Sequence, residues 1–167
     1  MGRIGAVFLL ACSLVAQPAS ADEAEAHYRL ALSLRSQGRY EDALEEINAA
    51  VDERPSYAPW HVTRGSILRH LGKYDAALAA YDRAIKLAPK DGRAYGLAGA
   101  VCLRKDQPEE AVRYLRRAVE LQPDEKNNWA NLGVAYRKTK KNDAAIATYR
   151  KALARFPGDA MLLNNLG

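Results

Sequence analysis

Proline recurs in this chain at a constant step of 34 residues, at Pro55, Pro89, Pro123 and Pro157. Alanine and glycine follow the same step in three sets of positions: Ala43, Ala77, Ala111 and Ala145; Ala50, Ala84, Ala118 and Ala152; Gly65, Gly99, Gly133 and Gly167. A fixed period of this length is the sequence signature of a solenoid, in which each structural unit packs against its neighbours. The chain has 167 residues, which is enough for several such units.

Each period is predicted to hold two amphipathic helices with a short break between them. In the second unit the helices cover about residues 58–70 and 75–87, and Pro89 ends the second helix because proline lacks an N–H group. Gly65 falls where two helix backbones must approach closely, and Tyr81 fills space between helix turns. The predicted fold class is therefore all-α.

The fourth unit carries the fullest set of repeat residues: Trp129, Leu132, Gly133, Tyr136, Ala145, Tyr149, Ala152 and Pro157. In this pattern the chain resembles the tetratricopeptide repeat family. The resemblance implies an α-solenoid of antiparallel helix pairs over residues 22–167. Its repeats would be 24–57, 58–91, 92–125 and 126–159, followed by the start of a fifth at 160–167.

Departures from the family pattern are local. His61 stands where the family most often has tryptophan, with Trp60 displaced by one residue. Asp106 and Lys140 stand where a glycine opens the turn between the two helices of a unit. These differences leave the predicted fold unchanged.

The first 21 residues are predicted to be a signal peptide. Arg3 precedes an uncharged, mostly apolar stretch at 4–16, and the small residues Ala19, Ser20 and Ala21 form a cleavage site. Cleavage after Ala21 would place the mature protein outside the cytoplasm, in the periplasm or secreted. An uncleaved anchor is the first alternative, although thirteen helical residues span only about 20 Å of a roughly 30 Å hydrocarbon layer. A lipoprotein attached through Cys12 is the second, minor alternative.

No catalytic, metal-binding or phosphate-binding motif is present in the sequence. We therefore expect a protein without enzyme activity, cofactor or metal. Cys102 lies in an apolar stretch and is predicted to be a buried thiol rather than a nucleophile. The 25 basic residues are offset by 20 acidic ones, which together with the predicted export argues against nucleic acid as a partner.

The resemblance implies that the first helix of each unit lines a concave groove. In the third unit the groove-facing positions would be Arg93, Gly96, Leu97, Ala100, Leu103 and Arg104. Across all units the predicted partner-binding residues are basic or polar: Arg35, Arg69, His70, Arg93, Arg104, Asn131, Arg137 and Lys138. Aligned guanidinium groups suit the carboxylates of an acidic protein or peptide. The alternative is that cations simply favour the last turn of a helix, where they interact with its dipole.

The end of the sequence carries four large apolar side chains and no charge: Met161, Leu162, Leu163 and Leu166. We expect this end to take part in self-association or to contact a partner. Taken together, the sequence predicts an exported, non-catalytic protein–protein interaction scaffold, or adaptor, of the bacterial cell envelope. The alternative is a regulatory or substrate-holding subunit of an envelope enzyme complex whose catalysis lies on another chain.

Overall fold

The structure, a computed structural model, describes residues 21–166 of the chain. Over this range it is helical, with no strand: α1 (Ala21–Ser36), α2 (Tyr40–Glu53), α3 (Ala58–His70), α4 (Tyr74–Leu87), α5 (Gly92–Arg104), α6 (Pro108–Leu121), α7 (Lys126–Lys138), α8 (Asn142–Arg155) and α9 (Ala160–Leu166). The predicted all-α class is confirmed. The predicted signal peptide lies outside the described residues apart from Ala21. Between residues 21 and 166, every helix is too short or too polar to cross a membrane.

The helices form an α-solenoid. Each helix packs mainly against the one before and the one after it, and the first helices of successive units, such as α3, α5 and α7, also touch. Short connections between neighbouring helices make the pairs antiparallel. The first helices therefore line one side of the array, which is the concave side of a solenoid.

The periodic glycines allow the two helices of a unit to pack closely. A methyl group added to Gly65 would lie 2.5 Å from a ring carbon of Tyr81, which is fully buried in α4. The same pairing recurs in the next units, where Gly99 meets Leu115 and Gly133 meets Tyr149. The sequence interpretation of these positions is confirmed, because the small residue makes room for the large one.

The turns inside the units need a left-handed backbone at one position. Gly38 and Gly72 have φ angles of 78° and 71°, which glycine adopts without steric cost. Asp106 and Lys140 occupy the equivalent positions with φ angles of 55° and 60°. Both turns therefore keep the shape of the glycine turn, at a conformational cost that glycine does not carry.

A second periodic contact ties each unit to the one before it. The Trp129 indole donates a hydrogen bond from Nε1 to the carbonyl of Pro123, at 2.8 Å. One unit earlier the Tyr95 hydroxyl donates to the Pro89 carbonyl. Histidine at the equivalent position in the second unit makes the same contact, because Nε2 of His61 lies 2.9 Å from the carbonyl of Pro55. His61 therefore replaces tryptophan without loss of this inter-unit bond.

Candidate partner-binding groove

A cavity of about 590 Å³ opens on the concave side, between α3, α5 and α7. Its apolar part is formed by Val62, Leu97 and Ala100, with Gly96 beside them. Its polar part is formed by amides and charged groups: Arg69, Arg93, Gln122, Glu125, Asn127, Asn128 and Asn131. We call this cavity the concave groove. Its size is that of a small-ligand or peptide side-chain site.

Three of the predicted binding residues, Arg69, Arg93 and Asn131, meet in the concave groove. Sequence reasoning missed Gln122, Glu125 and Asn128. Asn128 is buried at 5% exposure and packs over Gly96, where any side chain would overlap its amide. A glycine inside a helix was the signal that could have pointed to this close approach.

Arg69 is the cation that points most directly to a ligand. Its Nε atom is buried and has no hydrogen-bond partner among the described residues. Its Nη2 atom lies 3.2 Å from Nε2 of His70. Burial raises the pKa of Tyr81, and a hydrogen bond with Ser66 together with the charge and a hydrogen bond of Arg69 oppose this increase. A guanidinium with an unused buried donor favours an acceptor from outside the chain.

His70, predicted to bind a partner, is exposed and does not line the concave groove. Its ring stacks on Tyr40 with 4.6 Å between the ring centres and an angle of 5° between their planes. Burial lowers the pKa of His70, and the charges of Arg69 and Arg35 lower it further. A role of His70 in binding a partner stays a prediction.

Arg93 is held by an acid of its own unit. Its guanidinium donates to both carboxylate oxygens of Asp91, from Nε to Oδ1 at 3.1 Å and from Nη2 to Oδ2 at 2.6 Å. The same carboxylate accepts from the main-chain N–H of Arg93 and so caps the start of α5. Hydrogen bonds from Arg93 are the main cause of the lowered pKa of Asp91. Arg93 thus contributes shape and hydrogen-bond donors to the groove more than net charge.

The other predicted cations lie outside the concave groove. Lys138 forms an ion pair with Asp106 at 2.6 Å, which joins the end of α7 to the turn of the preceding unit. Arg137 lies near Tyr149, where its charge opposes the increase that burial causes in the pKa of that phenol. Arg35 and Arg104 are at the last turns of α1 and α5. Of these predicted cations, Arg69 lines the concave groove, whereas Arg35, Arg104, Arg137 and Lys138 do not.

The remaining candidate groups do not form a reactive site. Cys102 is fully buried and free, as predicted, and burial raises the pKa of its thiol to about 11. No group of three or more His, Cys, Asp or Glu residues within 21–166 is placed to hold a metal ion.

The last described helix, α9, has one buried and two exposed apolar side chains. Leu162 is fully buried with Ala145, Tyr149 and Ala152 of α8, while Met161 and Leu163 are 42% and 50% exposed. The side chain of Leu166 lies outside the described part of the chain. Self-association through this end stays a prediction.

The repeated helix pairs and the open groove define the class of this molecule as a helical repeat protein. Family models described as tetratricopeptide repeat match residues 56–124 and, for a second model, residues 13–58 and 103–160. The second model covers more than half of the chain. The chain belongs to the tetratricopeptide repeat family.

Solved structures of similar fold agree with this assignment. A MamA fragment from Desulfovibrio magneticus RS-1 is 24% identical, with a TM-score of 0.80 over 87% of this chain and 82% of its own. YrrB, described as a TPR protein with an unusual peptide-binding site, is 23% identical, with a TM-score of 0.76 over 87% and 75%. The first TPR of Spaghetti (RPAP3), bound to an HSP90 peptide, is 21% identical, with a TM-score of 0.71 over 74% and 98%. No curated protein matches the sequence.

Proposed function

We propose that this protein is a non-catalytic adaptor that binds an acidic, extended segment of a partner protein in the concave groove. The observation that carries the proposal is Arg69, whose buried Nε lacks a hydrogen-bond partner beside an apolar cavity floor. The Arg69 side chain is half-buried and lines the cavity, so an aspartate or glutamate of the partner would pair with its guanidinium. Hydrogen bonds between charged groups of this kind are among the stronger ones in proteins.

The polar side chains around the groove suit a peptide main chain. Asn127 and Asn131 are one helical turn apart on α7, and both line the groove. Each amide offers one acceptor and two donor hydrogens, as a main chain requires. An apolar side chain of the partner would rest on Val62 and Leu97, because burial of such a side chain is favourable.

Charge gives the bound segment a direction. Glu125 caps the start of α7, whereas Arg69 is in the last turn of α3, and both line the groove. The Glu125 side chain accepts from the main-chain N–H of Asn127, and its negative charge repels a carboxylate of the ligand. The acidic residue of the partner is therefore expected near Arg69 and away from Glu125.

The comparisons support this class of partner. YrrB is described as having a peptide-binding site and the Spaghetti repeat is bound to a peptide, and both share the fold of this chain. The location we propose is the bacterial cell envelope, because residues 1–21 have the sequence pattern of a signal peptide.

In-cell photo-crosslinking tests the proposed function. A photoreactive phenylalanine at position 97 lies on the groove floor, and the same residue at the exposed position 79 of α4 is the control. We expect position 97 to capture an envelope protein through an acidic segment identified by mass spectrometry, and Arg69→Glu to reduce the yield. Equal capture from both positions, or capture that Arg69→Glu leaves unchanged, would contradict the proposal.

A further inference from the structure

The second helices of successive units enclose spaces on the side opposite the concave groove. Tyr114 of α6 is half-buried, and its phenol packs against the apolar cluster that includes Ala80 and Tyr81 of α4. The Tyr114 hydroxyl donates a hydrogen bond to a carboxylate oxygen of Asp82, at 2.7 Å. The chain therefore shows what this position accommodates, which is an aromatic ring beside a carboxylate.

One unit later, both members of that pair are changed. Thr148 stands 34 residues after Tyr114, and Arg116 stands 34 residues after Asp82. The Thr148 side chain, much smaller than the Tyr114 phenol, donates to the carbonyl of Ala144 in its own helix. The result is an open cavity of about 410 Å³ between α6 and α8, which we call the convex groove.

The walls of the convex groove are apolar and aromatic. Val119 and Leu132 line it, together with the half-buried rings of Trp129 and Tyr136. The Trp129 ring is fixed by its hydrogen bond to the Pro123 carbonyl. These walls are already organised to receive a flat ring, so little side-chain entropy is lost on binding.

The rim of the convex groove is positively charged. Arg116, Lys151 and Arg155 line it. Arg155 forms an ion pair with Asp124, with 3.1 Å between Nη1 and Oδ1. Among the described residues, Arg116 and Lys151 form no ion pair. The one acid that lines the cavity, Glu120, is paired with Arg117 at 3.0 Å. The fourth unit, 126–159, has a net charge of +6, so the field around the groove favours an anionic ligand.

We propose that the convex groove is a second protein-binding site, which takes an aromatic side chain flanked by carboxylates from an acidic segment of a partner. The ring would occupy the space that Tyr114 fills one unit earlier. The carboxylates would meet Lys151 and Arg116, and Arg116 stands where the earlier unit has its own Asp82. This site is separate from the concave groove and does not depend on its function.

The test uses a defined probe, an acetylated and amidated pentapeptide with phenylalanine between two pairs of glutamates. The chain has two tryptophans, and Trp60 is fully buried, so Trp129 reports binding by a change in fluorescence. We expect saturable binding to the wild-type chain. Replacing the phenylalanine of the probe by alanine should raise the dissociation constant at least about tenfold.

Variants of the chain locate the site. The double variant Thr148→Tyr with Arg116→Asp recreates the internal pair of the preceding unit and should abolish binding. Lys151→Glu, a surface change that keeps the fold, should weaken binding about three- to tenfold. The matched control is Arg150→Glu, the adjacent exposed cation that does not line the groove.

Arg69→Glu in the concave groove should leave the Trp129 response unchanged, which separates this site from the proposed function. Three outcomes would overturn the inference. The first is no change in Trp129 fluorescence up to about 1 mM probe. The second is an equal loss of binding in Lys151→Glu and Arg150→Glu. The third is a loss of binding only in Arg69→Glu, which would assign the probe to the concave groove.

Discussion

Substituting Gly65 with alanine should destabilise the second unit, although alanine is the better helix former. The new methyl group would lie 2.5 Å from a ring carbon of Tyr81, whereas carbon atoms in contact prefer about 3.5–4.0 Å. Because Tyr81 is fully buried, its ring has no solvent side to move into. The helices α3 and α4 must therefore separate by about 1 Å.

The magnitude follows from two opposing effects. Overpacking of this kind costs about 1–3 kcal/mol, and the upper half of this range applies where no flexible side chain can yield. The better helix propensity of alanine returns about 1 kcal/mol. We expect a net loss of about 1–2 kcal/mol in the free energy of unfolding, measured as a lower urea midpoint with circular dichroism.

The first unit supplies the compensating change. There, Ala31 stands at the equivalent position opposite Ile47, and both are fully buried. Adding Tyr81→Ile to Gly65→Ala copies this pair, so the double variant should lose less stability than the sum of the two single variants. Additive losses, or a Gly65→Ala variant as stable as the wild type, would refute the close-packing argument.

Three further predictions rest on single residues. Burial lowers the pKa of His61, so the unfolded chain binds a proton more readily than the folded chain does. The free energy of unfolding should therefore be highest above pH 6.5 and fall below it. Urea titrations at pH 7.5 and 5.0 should show a smaller loss of stability at the lower pH in His61→Gln than in the wild type. Lys140→Gly should raise the free energy of unfolding by about 1 kcal/mol, because glycine adopts the left-handed backbone of this turn without the steric cost that lysine carries. An unchanged urea midpoint would contradict this. N-terminal sequencing of the protein from its host should begin at Asp22, whereas a start at Met1 or at a lipidated Cys12 would reject signal cleavage after residue 21.

The fold could be predicted almost completely from the sequence, because a solenoid repeats the same packing problem in every unit. Helix α3 has the predicted bounds, and α4 begins at Tyr74, one residue before the predicted start. Periodic residues such as Gly65 and Tyr81 lie close together within a unit. Because the small and the large residue recur together in later units, the sequence pattern predicts that they are in contact. This information is local, and local patterns determine helical repeats.

The site could be predicted only in part, because a charged side chain can form an ion pair with a residue of another unit, and the period does not show which cations are paired in this way. The periodicity makes Lys138 equivalent to Arg104 and led to the prediction of both as binding residues, but it is silent about Asp106, which pairs with Lys138 across the turn. The burial of Asn128 over Gly96 likewise depends on how two successive first helices approach. The convex groove is lined by Thr148, a small residue where the preceding unit has Tyr114. This difference is visible only when the two units are compared.

The proposed function requires that Arg69 receive a carboxylate of a partner segment in the concave groove. The direct measurement is calorimetric titration of the segment captured at position 97, prepared as a peptide, against the wild-type chain and Arg69→Gln at low and high salt. Arg113→Gln, an exposed cation of α6 outside both grooves, is the control. Loss of a charged hydrogen bond costs about 1.5–3 kcal/mol, so Arg69→Gln should weaken binding roughly ten- to a hundredfold and reduce its salt dependence. Equal affinity and equal salt dependence in the wild type, Arg69→Gln and Arg113→Gln would contradict the claim.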